Sequence, residues 1–292
     1  MDLIQVASDI SVIDSGATMI GALRTAEGFT LIDSGFNRKQ AKKIDKLCQN
    51  AVTAIYHTHT HADHIGGSAY FVENYSTKLY VPAAELSFAH MPELEGAMLS
   101  GGILPNASDN PFLLASAIPT ATCIPDRPFT IGDHTITPIS TAGHSPAHTA
   151  YLIDDTLFLG DAILSAENIK KHGILYLFNA EMAYKSLDLV QEIPYKTAVI
   201  CHKGTFDRDE CAELISLQRA HIERIKAVVL ESVADNTAEE ITKVVADKLS
   251  IPLIWEESWY LVSSTVKGYL CWLRRDGIID KKYSDRLIWT ES

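Results

Sequence analysis

The chain has 292 residues, 47% of them hydrophobic and 21% charged, a balance that suits one large globular domain or a medium one with a small extension. Its 25 Lys and Arg stand against 37 Asp and Glu, a formal charge of −12 that repels phosphate backbones and anionic membrane surfaces. No apolar run approaches the roughly 20 residues of a membrane span, and the first residues lack the basic start and apolar core of a signal peptide.

In chain order, the first half reads as short strands separated by helices. Residues 4–14 and 17–24 pattern as paired strands, and 29–33 as a third, closed by the turn Asp33-Ser34-Gly35. A basic helix over 39–50 precedes an apolar strand at 51–56, which leads straight into a histidine-rich segment. A helix over 63–75, a strand at 78–82 and a helix starting near Ala83 follow. Residues 100–127 carry Gly, Pro and Asn breakers beside Leu104, Phe112, Leu113 and Leu114; a segment of this kind is either a lid facing substrate or an insertion packed on the surface. Strands return at 128–139, 148–154 and 156–160, then a helix at 181–193 and a strand at 197–201. From about Phe206 the pattern turns helical, over 209–234, 237–249 and 263–275, with a strand pair reaching Trp289. The second of these helices opens on Asn236-Thr237-Ala238-Glu239-Glu240, a capping signal. A boundary near 205 divides the chain into 1–205 and 206–292. The five cysteines (Cys48, Cys123, Cys201, Cys211, Cys271) are scattered and form no CxxC pair, which reads as reduced thiols and a cytoplasmic location.

The chemistry concentrates in Thr58-His59-Thr60-His61-Ala62-Asp63-His64. Alternate residues of an extended chain point the same way, so His59 and His61 can reach one metal ion together. Asp63 and His64 follow at a turn into a helix, aimed at a second site beside the first. Neutral imidazoles with carboxylates suit zinc, iron or manganese. His144, in the segment 143–148, follows the strand that ends near 141. Asp161 ends the apolar strand Leu157-Phe158-Leu159, where a lone carboxylate needs a partner or a metal. His202 repeats that design after Val199-Ile200. Each signal is weak alone; together they place one donor at the end of each successive strand, where α/β folds build sites.

The ordered segments HTHADH (59–64), GHSPAH (143–148), LFLGDA (157–162) and VICHKG (199–204) resemble the successive motifs of the metallo-β-lactamase superfamily, and LIDSG at 31–35 resembles its early strand-end Asp motif. The resemblance covers roughly residues 1–205. It implies an α/β fold, an αββα sandwich with metals at one edge. His59, His61 and His144 would hold a first metal and Asp63, His64 and His202 a second, with Asp161 bridging. Two divalent ions, zinc foremost with iron or manganese as alternatives, would share a water and lower its pKa from about 15.7 toward neutrality. The hydroxide so formed would attack an ester, thioester or lactone of a small molecule, with Asp63 orienting it. His148 is expected to hydrogen-bond behind the ligands. Tyr176 is expected either to touch substrate or to pack on its loop. Strand alternation points Cys201 away from His202, into the core, and His57, His90, His134, His172 and His221 read as structural or exposed. Ala147 stands where the family has glycine, and Cys201-His202-Lys203 where Gly-His-Gly is common, which changes the backbone freedom near substrate.

Departures from relatives narrow the choice. β-Lactamases of this fold place Cys where Asp161 stands and are exported; flavodiiron relatives place an acid where His61 stands. The tail resembles a winged-helix module like that of ribonuclease-like members of the fold. Residues 206–292, however, hold 12 Lys and Arg against 16 Asp and Glu, which argues against a nucleic-acid partner and for a packing or dimer module, leaving a homodimer open. The expected activity is therefore hydrolysis of a small molecule. A phosphodiesterase or endoribonuclease and a mono-iron sulfur dioxygenase are the enzymatic alternatives. A binding protein without turnover would show eroded ligand positions, and here every one is filled.

Overall fold

The structure, a computed structural model, describes residues 1–16, 18–102, 114–202, 204–283 and 285–292. Its first sheet runs in chain order through β1 (Leu3–Ala7), β2 (Ile10–Asp14), β3 (Met19–Thr25), β4 (Gly28–Ile32), β5 (Val52–Tyr56), β6 (Lys78–Val81) and β7 (Thr122–Cys123). The first four strands are antiparallel neighbours, and β4 to β7 pair in parallel. Its helices are α1 (Arg38–Leu47), α2 (Ala62–Ile65), α3 (Ser68–Tyr75), α4 (Leu86–His90) and α5 (Glu93–Ser100). The second sheet holds β8 (Phe129–Ile131), β9 (His134–Ser140), β10 (Thr149–Ile153), β11 (Thr156–Phe158), β12 (Thr197–Ile200) and β13 (Gly204–Asp207). Helices α6 (Ala166–His172) and α7 (Ala180–Glu192) lie between β11 and β12 in the chain. The chain closes with α8 (Arg208–Leu230), α9 (Ala238–Lys248), α10 (Glu256–Arg275) and the hairpin β14 (Ile279–Tyr283)–β15 (Leu287–Glu291).

Period-two alternation explains the layering. Val12, Ile32 and Tyr56 of the first sheet meet Tyr151, Phe158 and Val199 of the second in a core between the sheets. Their chain neighbours Ile13, Leu31 and Ile55 face outward onto Ala41, Ile44 and Phe71 of α1 and α3. On the far side Leu157, Ala198 and Ile200 pack on Leu187, Ile215, Ile222, Val266 and Leu270 of α7, α8 and α10. Both faces of each central strand are buried, giving helix, sheet, sheet and helix layers: the αββα sandwich.

The boundaries differ from expectation where a local turn intervenes. Residues 4–14 form a hairpin, β1 and β2, because Asp9 takes a left-handed conformation (φ 57°) between them. The helix expected over 63–75 breaks into α2 and α3 at Gly66-Gly67, where a Cβ on Gly66 would sit 2.0 Å from the Phe36 carbonyl oxygen. Helix α10 starts at Glu256, seven residues before the expected Ser263, with acids rather than a side-chain cap opening its first turn. Helix α9 opens on the expected capping box, Thr237 with Glu240. Residues 103–113, with Leu104, Phe112 and Leu113 of the expected lid or insertion, lie outside the described residues. No helix among the described residues is long and apolar enough to cross a membrane.

Candidate metal centre

Strands β4, β5, β11 and β12 all end at one edge of the sandwich, and each hands over a polar residue there: Asp33, the 57–64 segment, Asp161 and His202. The turn between β9 and β10 adds His144 and His148. The donor atoms of His59, His61 and His144 lie within 4.8 Å of one another, as do those of Asp63, His64 and His202. Within the first trio, His61 Nδ1 stands 2.9 Å from both His59 Nε2 and His144 Nε2. Asp161 lies between the trios. Its Oδ2 is 3.5 Å from His144 Nε2, and its Oδ1 is 3.5 Å from His64 Nε2 and 3.4 Å from His202 Nε2. Asp63 Oδ2 is 3.8 Å from the same two nitrogens of His64 and His202. The structure thus gathers all seven residues picked from sequence as ligands.

Residues behind the cluster aim it. The carboxylate of Asp33 accepts from Thr58 N (2.8 Å), Thr58 Oγ1 (2.9 Å) and His64 Nδ1 (2.8 Å), so His64 turns its Nε2 to the cluster. Having given its proton to Asp33, the Thr58 hydroxyl accepts from His59 Nδ1 at 3.0 Å, which leaves His59 Nε2 free of a proton. His148 takes the expected place behind the ligands: its Nε2 accepts the Asp161 backbone N–H at 3.0 Å, and its Nδ1 meets Thr141 Oγ1 at 2.8 Å. Gly160 makes that approach achievable. It is left-handed (φ 50°), and a Cβ there would stand 2.6 Å from His148 Nε2.

Sequence reasoning missed three residues of this frame. Glu85 is fully buried and accepts from Thr60 N (2.9 Å) and Thr60 Oγ1 (3.1 Å) on one loop, and from Ser145 Oγ (2.6 Å) and Ala147 N (2.8 Å) on the other. It fastens the two histidine loops together. Glu95 of α5 places Oε1 3.2 Å from His61 Nε2, the ring nitrogen that faces away from the cluster. Gln218 of α8 accepts from Leu164 N (2.8 Å) and donates to Ala162 O (2.9 Å), holding the loop after Asp161. None sits in a motif; an isolated Glu or Gln on a helical stretch carries no sign of a partner 25 to 62 positions away.

Other expectations are refined. Cys201 is buried, but its Sγ lies 3.7 Å from His64 Nδ1; β12 ends at Ile200, so strand alternation no longer governs residue 201. His172, read as structural or exposed, is exposed and lines the cavity beside the cluster. Ala147 adopts no left-handed backbone, so the missing glycine costs nothing there. The Tyr176 ring lies 5.8 Å from that of His61 and 5.9 Å from that of His144, at the cavity wall.

Electrostatics prepares the first trio for a cation. Burial, with the neighbouring imidazoles, pushes His61 and His144 down to about 3 and His59 well below its ordinary value, so all three imidazoles are neutral, the form that can hold a metal. Burial would also lower His64, but Cys201, Asp63, Asp33 and Asp161 outweigh it and raise that imidazole well above its ordinary value. Asp161 would be raised by burial, yet His64 and His202 hold it well below the usual carboxylate range. Asp161 Oδ1 and His144 Nδ1 are buried without a hydrogen-bond partner. Converging unprotonated imidazoles with an unsatisfied carboxylate oxygen fit a divalent cation.

Comparison with known proteins agrees. The sequence model of the metallo-beta-lactamase superfamily matches residues 14–202, which include every clustered donor. A hydroxyacylglutathione hydrolase from Shewanella sp. (strain ANA-3) is 28% identical over 175 residues, 56% of this chain and 54% of that protein. Glyoxylase B2 of Dictyostelium discoideum is 28% identical over 179 residues, 56% of each chain. The chain thus spans about half the length of the curated relatives it matches. A beta-lactamase domain protein from Burkholderia ambifaria superposes with a TM-score of 0.76 at 17% identity, over 100% of this chain and 94% of that one. A metallo-beta-lactamase family protein from Thermus thermophilus does so at 0.74 and 16%, over 99% and 100%. These two share the fold. By its match, its fold and its clustered divalent-metal donors, the chain belongs to the metallo-β-lactamase superfamily.

Proposed function

We propose that the protein is a dinuclear metal-dependent hydrolase of small-molecule thioesters, esters or lactones. His59, His61 and His144 would hold one ion and Asp63, His64 and His202 the other, with Asp161 between them and zinc as the first candidate. The observation that carries the reading is the division of Asp161: one oxygen faces the His144 side and the other faces His64 and His202. Bound divalent ions supply Lewis-acid polarisation of the scissile carbonyl and ready deprotonation of water. The chain's own residues supply the rest. Asp33, Thr58 and His148 set ring tautomers and hold Asp161. Asp63, more exposed than Asp161, would orient an attacking water and take its proton. Relatives named as hydroxyacylglutathione hydrolases favour the thioester within this class. Residues 1–205 would form the catalytic unit and 206–292 a winged-helix-like extension, a reading supported by three helices followed by a hairpin.

A hydrolysis panel on natively purified protein, with metal content measured on the same sample, tests this. It would hold a thioester, a lactone, a β-lactam and a phosphodiester. Carbonyl turnover with about two metals per chain, falling at least about a hundredfold in Asp161→Ala, is the expected result. Turnover of the phosphodiester alone, or one iron per chain with oxygen uptake, would overturn it.

A further inference from the structure

Beside the cluster lies a cavity of about 330 Å³ that opens onto His144, Asp161 and His202. Its walls are Leu164, Ile174 and Leu175 from the segment after Asp161, and Ile251, Leu261 and Val262 from the start of α10 and the turn before it. Ile174, Leu175 and Val262 are buried, and Leu177 N donates to Thr265 Oγ1 at 3.2 Å, so the two walls are tied together. The cluster's own His144, Asp161 and His202 sit at one end, and the other polar groups of the lining are Asn168, His172, Tyr176, Ser258 and Thr265. None of the described lining residues is Lys or Arg. A glutathione thioester carries two carboxylates, and these walls set no lysine or arginine against them.

We propose that this cavity binds an uncharged, unbranched apolar chain attached to the scissile carbonyl, and that Leu261 and Val262 of α10 set the length accepted. This deepens the hydrolase reading and rests on it for the position of the carbonyl. At about the volume of one water per methylene, roughly 30 Å³, the space takes on the order of eleven carbons.

Binding and turnover are measured separately. Straight-chain primary amides shorter and longer than this are titrated calorimetrically into chelator-treated protein, so that binding is read without turnover. The dissociation constant should fall about three- to fourfold per methylene until the cavity is full. Leu261→Trp should shorten the longest chain that still gains affinity, while Leu189→Trp, on the exposed face of α7, should not. Thioesters lengthened on the acyl side, or on the thiol side, then show which arm enters, and the same acyl group on glutathione should be no better a substrate. Affinity flat with chain length in the wild-type protein overturns the proposal, as does a tenfold preference for the glutathione thioester. Amides that bind as expected while no carbonyl compound is turned over would sustain the cavity and sink the hydrolase reading instead.

Discussion

Two buried acids do more to shape the centre than their distance from the reacting groups suggests. Asp33 spends one carboxylate on three donors, and the proton it accepts from His64 Nδ1 decides which nitrogen that ring shows to the cluster. Asp33→Asn keeps an acceptor for Thr58 but offers His64 an N–H where it needs an oxygen. Zinc affinity, measured by competition with a chromogenic chelator, should drop ten- to a hundredfold while the far-ultraviolet spectrum stays unchanged. Glu85 acts differently, through stability. Burial raises its carboxyl above the ordinary value, yet four donors on two loops converge on it. Glu85→Ala strands them and should cost about 3 kcal/mol or more in urea unfolding of chelator-treated protein. His59, His61, Asp63 and His64 were legible in the sequence because they fall within six residues of one another. Glu85 and Glu95 were not, since their partners lie elsewhere in the chain and only folding brings them close.

At the scale of elements, strand ends and tight turns deliver the donors while helices on the far face hold them in place. Gln218 pins the loop after Asp161 from α8, and Asn179 N and Phe178 N donate to Gly143 O and His144 O from the start of α7. The same α8 buries His221, and burial, then the Arg224 charge, lowers that imidazole below its ordinary value. A native state that resists the proton binds fewer protons than the unfolded chain, so stability from this site is present above about 6.5 and is lost as pH falls below it. In His221→Leu that loss is removed. The urea midpoint of the wild-type protein should therefore fall relative to the variant between pH 7.5 and pH 5; equal shifts in both proteins would refute the assignment. Motif spacing could place these helices in the chain, but it could not show which residue of each turns toward the site.

Across the whole molecule, one continuous apolar core joins the second sheet to the C-terminal helices and to Trp289 of the last strand. That core runs past residue 205, where composition changes, and its continuity predicts a single cooperative unfolding. All four tryptophans lie beyond residue 254, so their fluorescence reports on the C-terminal region while circular dichroism reports on the whole chain. The two signals should give coincident urea transitions. A fluorescence change that precedes the dichroism change would show instead that residues 206–292 unfold on their own.

The sequence by itself determined the order of strands, the four donor-bearing segments and the superfamily, because strand alternation and motif spacing act over a few residues and need no distant partner. Tertiary structure alone decided the ring tautomers, the stapling of the two histidine loops by Glu85 and the apolar cavity beneath α10. Each of these depends on groups far apart in the chain meeting within hydrogen-bond or van der Waals reach, and only the packing of helices against the sheets brings about that meeting.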